Sequence, residues 1–412
     1  MGGLQTWSIG HRADLLVFAA AALARLACFA WFGLPEENYY AGLATGLLRH
    51  KTLGFDGTAE TFFEPLYPAV LASLRWATGD RAALVVVLQI ALASTGAVIL
   101  RRLTLALTDD PRAAVIAACF YALHPYLARQ AVAYQCLTLT TLLLMLAALQ
   151  FVRLGRPRAA VWLGLYLGLL LLTRLSLAPL VVLAVAMLLF EGRRRVAVIV
   201  LAVCLAVAGP WVLRNYRTDG TLGAGRAGEN LYVSTAPFSR ELLAGHDVDL
   251  VVQQVHESLV REPGNESTAD GTGDILLTRA WQHAVAHPWD ALYVKIRSAL
   301  YVVLPRLVPF YPKSASARAW IVDGTHLRFE GLTRRPVIEE LTFAAAASAI
   351  LVLACVGLLK RRHVLWNDRF LLLTLAVYVS IHAVFFATTR LVSPMYFVLM
   401  FYAGVGASRS RS

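Results

Sequence analysis

Long apolar runs separated by short polar turns fill most of the chain. They cover residues 13–33, 82–100, 113–130, 136–152, 159–173, 175–190, 196–213, 341–359, 369–387 and 392–407. A helix rises about 1.5 Å per residue, so about 20 apolar residues cross a hydrocarbon core of roughly 30 Å. The pattern therefore predicts an all-α polytopic membrane protein, a bundle of about ten transmembrane helices. Two further stretches are apolar but unsuited to crossing. FEPLYPAVLASLRWAT, 63–78, is short, begins with Pro65 and Pro68 and stops at Gly79, which predicts an interfacial helix. ALYVKIRSALYVVLPRLVPFY, 291–311, carries Lys295, Arg297, Pro305 and Arg306, which predicts an amphipathic helix lying in the outer interface. Between the seventh and eighth runs, 217–290 is polar. Its Gly/Asn/Ser/Thr/Asp-rich piece at 264–274 reads as a loop, followed by a helix from Ile275 that breaks near Pro288.

Charge orients this pattern. Basic clusters at Arg101–Arg102, Arg153/Arg156/Arg158, Arg193–Arg195, Lys360–Arg362 and Arg409/Arg411 all become cytoplasmic if the N-terminus is inside. Loop 34–81 and the segment 214–340 then lie outside. Three parts follow: an N-terminal membrane module over 1–213, an extracytoplasmic segment over 214–340, and C-terminal membrane helices over 341–412. The chain is 58% hydrophobic and 16% charged, with a mean hydropathy of +0.60. Its net charge of +12 is accounted for by the cytoplasmic clusters, so no nucleic-acid partner is expected. The five cysteines all lie in apolar runs without a CxxC, which argues against disulfides and thiolate metal sites. The first run follows Arg12 and reads as an uncleaved anchor. Arginine far outnumbers lysine, and alanine and leucine abound. This composition suggests a GC-rich bacterial genome and a bacterial inner membrane.

Several motifs carry little. GAGRAG at 223–228 matches GxGxxG but lacks the strand before it and the helix after it that a dinucleotide site needs, so it reads as a loop. Asp247-Val248-Asp249 is a DxD without a nucleotide-binding βαβ pattern. His283 and His287 share a helical face and would need a third metal ligand such as His246; solvated histidines are the ordinary alternative. No GxSxG or GxxxxGK[ST] occurs, and the sequon at Asn265 would be idle in a bacterium.

The charged residues at the outer ends of spans say more. Arg174 lies between two closely spaced runs, Arg214 ends the seventh, and Arg390 begins the last. The positive-inside rule does not favour cations there. Snorkelling to lipid phosphates is one explanation, and a convergent pocket for a phosphate headgroup is the other. Glu36 and Glu37 lie just outside the first run, and Lys295 and Arg297 could border the same space. A carboxylate can act as base on a hydroxyl while cations stabilise a phosphate leaving group. A solvated glutamate at a helix end remains the plainer reading of either acid.

Ordered landmarks over most of the chain give a resemblance. PEENYYAGLATGLL resembles the first outer loop of the GT-C class of membrane glycosyltransferases, and AETFFEPLYPAVLA its PLYP segment. WVLRNYRTDGTLGAGRAGENLYVSTAP, His287-Pro288 and TRLVSPMY resemble its later signatures. The chain is similar to the protein mannosyltransferase and lipid A aminoarabinose transferase families. The resemblance implies a GT-C-like bundle and transfer of a sugar from a polyprenyl-phosphate donor to a glycan, lipid or protein acceptor. It implies an extracytoplasmic active site, usually inversion, and neither a nucleotide sugar nor a cofactor. A metal is not required, because fixed cations can balance the leaving phosphate. The family's catalytic aspartate falls on Glu36 and its following acid on Glu37. Tyr40, Arg174, Arg214, Asn215, Tyr216, Lys295 and Arg390 become candidate substrate-binding residues. The chain departs from the family in having glutamate at the first acid, no GN after NLY, and Phe63-Glu64 where an arginine often stands near PLYP. The competing reading is a non-catalytic lipid-headgroup transporter, flippase or partner subunit. Few charges lie at mid-run, which favours surface chemistry over passage.

Overall fold

The computed structural model describes residues 2–35, 37–61, 63–79, 81–156, 158–220, 227–235, 269–303, 318–322, 326–330, 337–385 and 389–409. The chain is a helical membrane protein, and each of the ten predicted spans carries an apolar helix. His11–Trp31, Ala82–Thr108 and Arg194–Thr218 are long and apolar enough to cross a bilayer alone. The helices group into two compact units. The first comprises 1–223, 350–375 and 393–412, and the second 224–349 with 376–392.

The first unit begins with α1 (Gly2–Phe32), α2 (Tyr39–His50), a two-residue hairpin β1 (Gly54–Phe55) and β2 (Thr58–Ala59), and α3 (Leu66–Thr78). Then come α4 (Ala82–Thr108), α5 (Pro111–Leu123), α6 (Pro125–Gln130), α7 (Leu137–Val152) and α8 (Ala159–Leu171). A 3-10 turn at Leu175–Leu177 leads into α9 (Ala178–Phe190) and α10 (Arg194–Asp219). The hairpin turns on Asp56 and Gly57, both at positive φ, as a tight Asp-Gly turn requires. The interfacial helix predicted near 63–78 is α3, whose 13 residues rise only about 20 Å.

The run at 113–130, predicted as one span, is two helices. Pro125 has no N–H to continue the ladder, so α5 stops and His124 caps α6 by accepting from Leu127 N at 3.4 Å. The break frees carbonyls at the end of α5. Arg25, fully buried in α1, takes one of them, with Nη1 donating to Ala122 O at 3.0 Å and to Ala21 O at 2.9 Å. Its guanidinium lies 5.6 Å from the Tyr121 ring centroid. α8 and α10 pack closely because Gly164 and Gly168 present no side chain. A Cβ at Gly164 would meet Val200 O at 2.6 Å, and one at Gly168 would meet Val207 Cβ at 2.7 Å. α10 runs through Pro210 past Arg214 and stops at Gly220, which is left-handed with its N–H on Tyr216 O.

The second unit holds α11 (Ala227–Thr235), α12 (Ala269–Ala286), α13 (Pro288–Val303) and an antiparallel hairpin, β3 (Arg318–Val322) with β4 (His326–Glu330). α12 begins six residues before Ile275, so part of the predicted loop 264–274 is helix. The break at Pro288 occurs as predicted, and the segment predicted to lie in the interface is helical to Val303. α14 (Val337–Lys360) and α15 (Arg369–Val384) follow, then a short α16 (Thr389–Val392), a 3-10 turn at Ser393–Met395, and α17 (Tyr396–Ala407). The unit division falls inside α14 and α15.

Candidate functional site

The loop after α1 is organised by its polar residues. Asn38 caps α2, accepting from Tyr40 N at 3.0 Å, and its Nδ2 donates to Tyr134 O at 2.7 Å, which fixes the start of α2 against the α6–α7 turn. Glu37 pairs with Arg75 of α3. Arg75 also donates to Ala41 O and Thr45 Oγ1, each at 3.1 Å, so it clamps α3 to α2. The Arg75 side chain is 5% exposed and that of Glu37 is 54% exposed, so one side of the Glu37 carboxylate stays open to solvent. Glu36 lies outside the described residues. Tyr40 sits in an aromatic cluster, its ring 4.3 Å from Tyr39 and 4.9 Å from Tyr67, with its hydroxyl 3.1 Å from Cys136 Sγ. Burial pushes its phenol well above the usual pKa, so it acts as a neutral hydroxyl.

The second half of the loop is laced across the ends of α8 and α10. Arg214 Nη1 donates to Glu60 O at 2.8 Å, and the buried Asn215 donates to Thr61 O at 3.3 Å. Leu66 N donates to Leu172 O at 3.0 Å. Between them, Glu64 Oε1 accepts from Leu175 N at 2.9 Å. Burial raises the Glu64 pKa, opposed by the N–H groups of Leu175 and Glu64 itself and by the charge of neighbouring Arg174. Sequence reasoning noted Glu64 only as a departure from a family pattern. The signal it offered was an acid beside the PLYP segment in an otherwise apolar stretch.

Of the predicted cations, Arg174 and Arg214 therefore meet the same short segment, 60–66. Arg214 also donates to Asn215 Oδ1 at 3.0 Å and stacks 4.8 Å over Trp211. Among the described residues it forms no ion pair, so its charge is held by neutral acceptors. Tyr216, next in sequence, is exposed. Lys295 belongs to the second unit. There its Nζ donates to Ser234 Oγ at 2.7 Å, to Ser234 O at 3.3 Å and to Val384 O, tying together the ends of α11 and α15. Burial lowers its pKa to about 8. Arg390 lies on α16, and its side chain is outside the described residues. The His283 and His287 rings lie 4.9 Å apart and tilted, and no group of three metal-ligating side chains occurs among the described residues. His246 and Asp247–Asp249 lie outside them, as does most of 223–228.

These elements bring together a carboxyl and two guanidiniums at one end of a helical bundle, with a second, half-open carboxylate in the same loop. Such a set can hold a phosphate and accept a proton from a hydroxyl. No family model matches the chain, and no curated protein matches its sequence. Among solved structures it is similar to ArnT from Cupriavidus metallidurans. The apo crystal structure is 14% identical, covers 95% of this chain and 77% of that one, and has a TM-score of 0.42. The crystal structure bound to undecaprenyl phosphate is 12% identical over the same shares, with a TM-score of 0.38.

Proposed function

We propose that the chain is a membrane glycosyltransferase that moves a sugar from a polyprenyl-phosphate donor to a hydroxyl acceptor at the outer face of the membrane. The observation that carries this reading is the lacing of 60–66 onto α8 and α10, which sets Arg174 and Arg214 beside an acidic loop. Arg174 and Arg214 hold the donor phosphate, with Asn215 and Glu60 O fixing the Arg214 fork. Tyr40, Tyr216, Lys295 and Arg390 are further candidate contacts to donor or acceptor. Glu36, with Glu37 as alternate, takes the proton of the acceptor hydroxyl. The acceptor oxygen forms its bond to the anomeric carbon as the bond from that carbon to the phosphate oxygen breaks. The electron pair leaves with the polyprenyl phosphate, and the configuration inverts.

A second assignment of the base is favoured by one observation. Glu64 is the carboxyl whose electrostatics include Arg174, whereas Glu37 pairs with Arg75. Its raised pKa suits a base working near neutrality better than an ordinary carboxylate does. The deciding experiment is transfer in vitro from a panel of polyprenyl-phosphate sugars by wild type and by Glu36→Gln, Glu37→Gln and Glu64→Gln. Transfer by wild type with loss in one of the three identifies the base. Undiminished turnover in all three would remove every acid named here from the chemistry.

A further inference from the structure

The first unit has a polar hollow at the end remote from Arg174. The end of α4, the end of α7 with the turn after it, the turn between α9 and α10 and the start of α15 meet at that end. A cavity of about 270 Å³ opens there, with Phe151, Gly155, Arg193, Asn367 and Arg369 in its wall. At about 30 Å³ per water it has room for a phosphate group and the first atoms of its ester.

Its two guanidiniums are fixed in place by one acid. Arg369 donates through Nε to Glu191 Oε1 at 2.5 Å, through Nη2 to Oε2 at 3.2 Å, and through Nη1 to Trp366 O at 2.8 Å. Its Cζ lies 5.0 Å from the Phe151 ring centroid and 5.3 Å from that of Trp366. Arg193 Nε reaches Glu191 Oε2 at 3.4 Å. Arg369 thereby has all three nitrogens engaged, while Arg193 keeps both Nη groups without a hydrogen bond among the described residues, as does the Asn367 carboxamide. Arg193 also stands at the N-terminus of the 26-residue α10, where no side chain caps the first N–H groups. The adjoining turns add Arg153, Arg156, Arg194 and Arg195. The nearby Asp368 is taken by Arg361, at 2.6 Å to each oxygen. The hollow is short of negative charge and rich in fixed donors. Phe190 is 92% exposed and Trp366 65% exposed beside it, the placing expected of rings at the level of lipid headgroups.

We propose that this cavity binds the phosphate of an anionic phospholipid in the leaflet opposite the candidate transfer site. Arg193 and Asn367 donate to the phosphate oxygens, and the Glu191–Arg369 pair holds the wall that presents them. The site is independent of the transfer reaction.

The test uses the full-length chain, delipidated in detergent and titrated with phosphatidylglycerol or phosphatidylcholine under native mass spectrometry. Wild type should take up phosphatidylglycerol preferentially. Arg193→Gln should weaken that binding about tenfold, the loss expected of a charge-assisted hydrogen bond, and Asn367→Leu should weaken it less. Both changes leave the Glu191–Arg369 pair in place, although Arg193→Gln ends the 3.4 Å contact to Glu191. Arg112→Gln, an exposed arginine outside the cavity, should leave it unaltered. Equal uptake of the two lipids, or equal loss in Arg193→Gln and Arg112→Gln, would show only a diffuse surface field and overturn the site. Displacement of the lipid by millimolar inorganic phosphate would overturn its assignment to a lipid in favour of a soluble phosphate.

Discussion

The two ends of the first unit treat arginine differently. At the α15 end, three carboxylates hold five guanidiniums. Asp14 binds Arg101 at 2.5 Å and Arg102 at 2.8 Å, Glu191 binds Arg369 and Arg193, and Asp368 binds Arg361. At the α2 end, Arg214 is held by a backbone oxygen, a carboxamide and an indole ring, and Arg174 borders an acid that itself accepts from a backbone N–H. Engaging a guanidinium on both carboxylate oxygens, as at Arg361 and Arg369, uses up charge to fasten helices. Neutral acceptors, or the single Nε contact of Arg193, fix a guanidinium's position and leave donors for a ligand. Position along the helices alone does not separate these roles. The type and number of partners do.

The largest effect expected from this contrast is at Asp368. Its side chain is fully buried, bound twice by Arg361 and approached by the Tyr402 hydroxyl at 3.3 Å. Asp368→Asn leaves the buried guanidinium uncompensated and should cost about 3–5 kcal/mol, read as a lower unfolding temperature in detergent. Arg214→Gln should do the reverse. Stability should change little, while transfer should fall by about 10²–10³ through lost stabilisation of the leaving phosphate. If Arg214→Gln unfolds the chain and Asp368→Asn does not, the two ends have been read the wrong way round.

Much of the helical frame was legible because a lipid-facing helix must be apolar over its whole length. The ten apolar runs, the stop of α3 at Gly79 and the break before α13 at Pro288 each follow from a local rule visible in the residues. What was not legible depends on contacts between distant segments. Arg25 falls inside an apolar run, and nothing near it in sequence says that Pro125, a hundred residues on, frees the carbonyl it caps. Lys295 reads as a cation for a ligand, yet its three acceptors come from Ser234 and Val384. Glu64 acquires meaning only once 60–66 lies across α8 and α10. Of the acids placed in the candidate site from sequence, Glu37 meets Arg75, a partner that the pattern of outer-face arginines did not suggest.

Proton linkage sharpens the α2 end further. Burial raises the Glu64 pKa above its ordinary 4.5. The folded chain then binds more protons than the unfolded chain between 4.5 and the raised value, so stability should fall as pH rises through that window. If Glu64 is the base, transfer should move the other way, rising with pH as the carboxyl ionises, with a midpoint above 4.5. Glu64→Gln should abolish both slopes. A stability slope without a matching activity slope would make Glu64 a positioning residue that holds Arg174 and the Leu175 N–H.

The smallest effect expected is on stability at Glu37. Its carboxylate is half open to water, and such pairs contribute about 0–1 kcal/mol. Arg75 keeps Ala41 O and Thr45 Oγ1 when the carboxylate is lost, so α2 and α3 stay clamped. Glu37→Gln should therefore barely move the unfolding temperature, and any loss of transfer belongs to chemistry or substrate binding rather than to folding. Arg75→Met separates the two. It removes the donor that ties α3 to Ala41 O and Thr45 Oγ1 and frees Glu37, so stability should fall by about 1–3 kcal/mol. If Glu37 is the working acid, transfer by the folded fraction should fall as well, because the carboxylate loses the guanidinium that positions it. Transfer by the folded fraction unchanged by Arg75→Met, alongside full turnover in Glu37→Gln, would leave this pair as a fastener of the same kind as those at the α15 end.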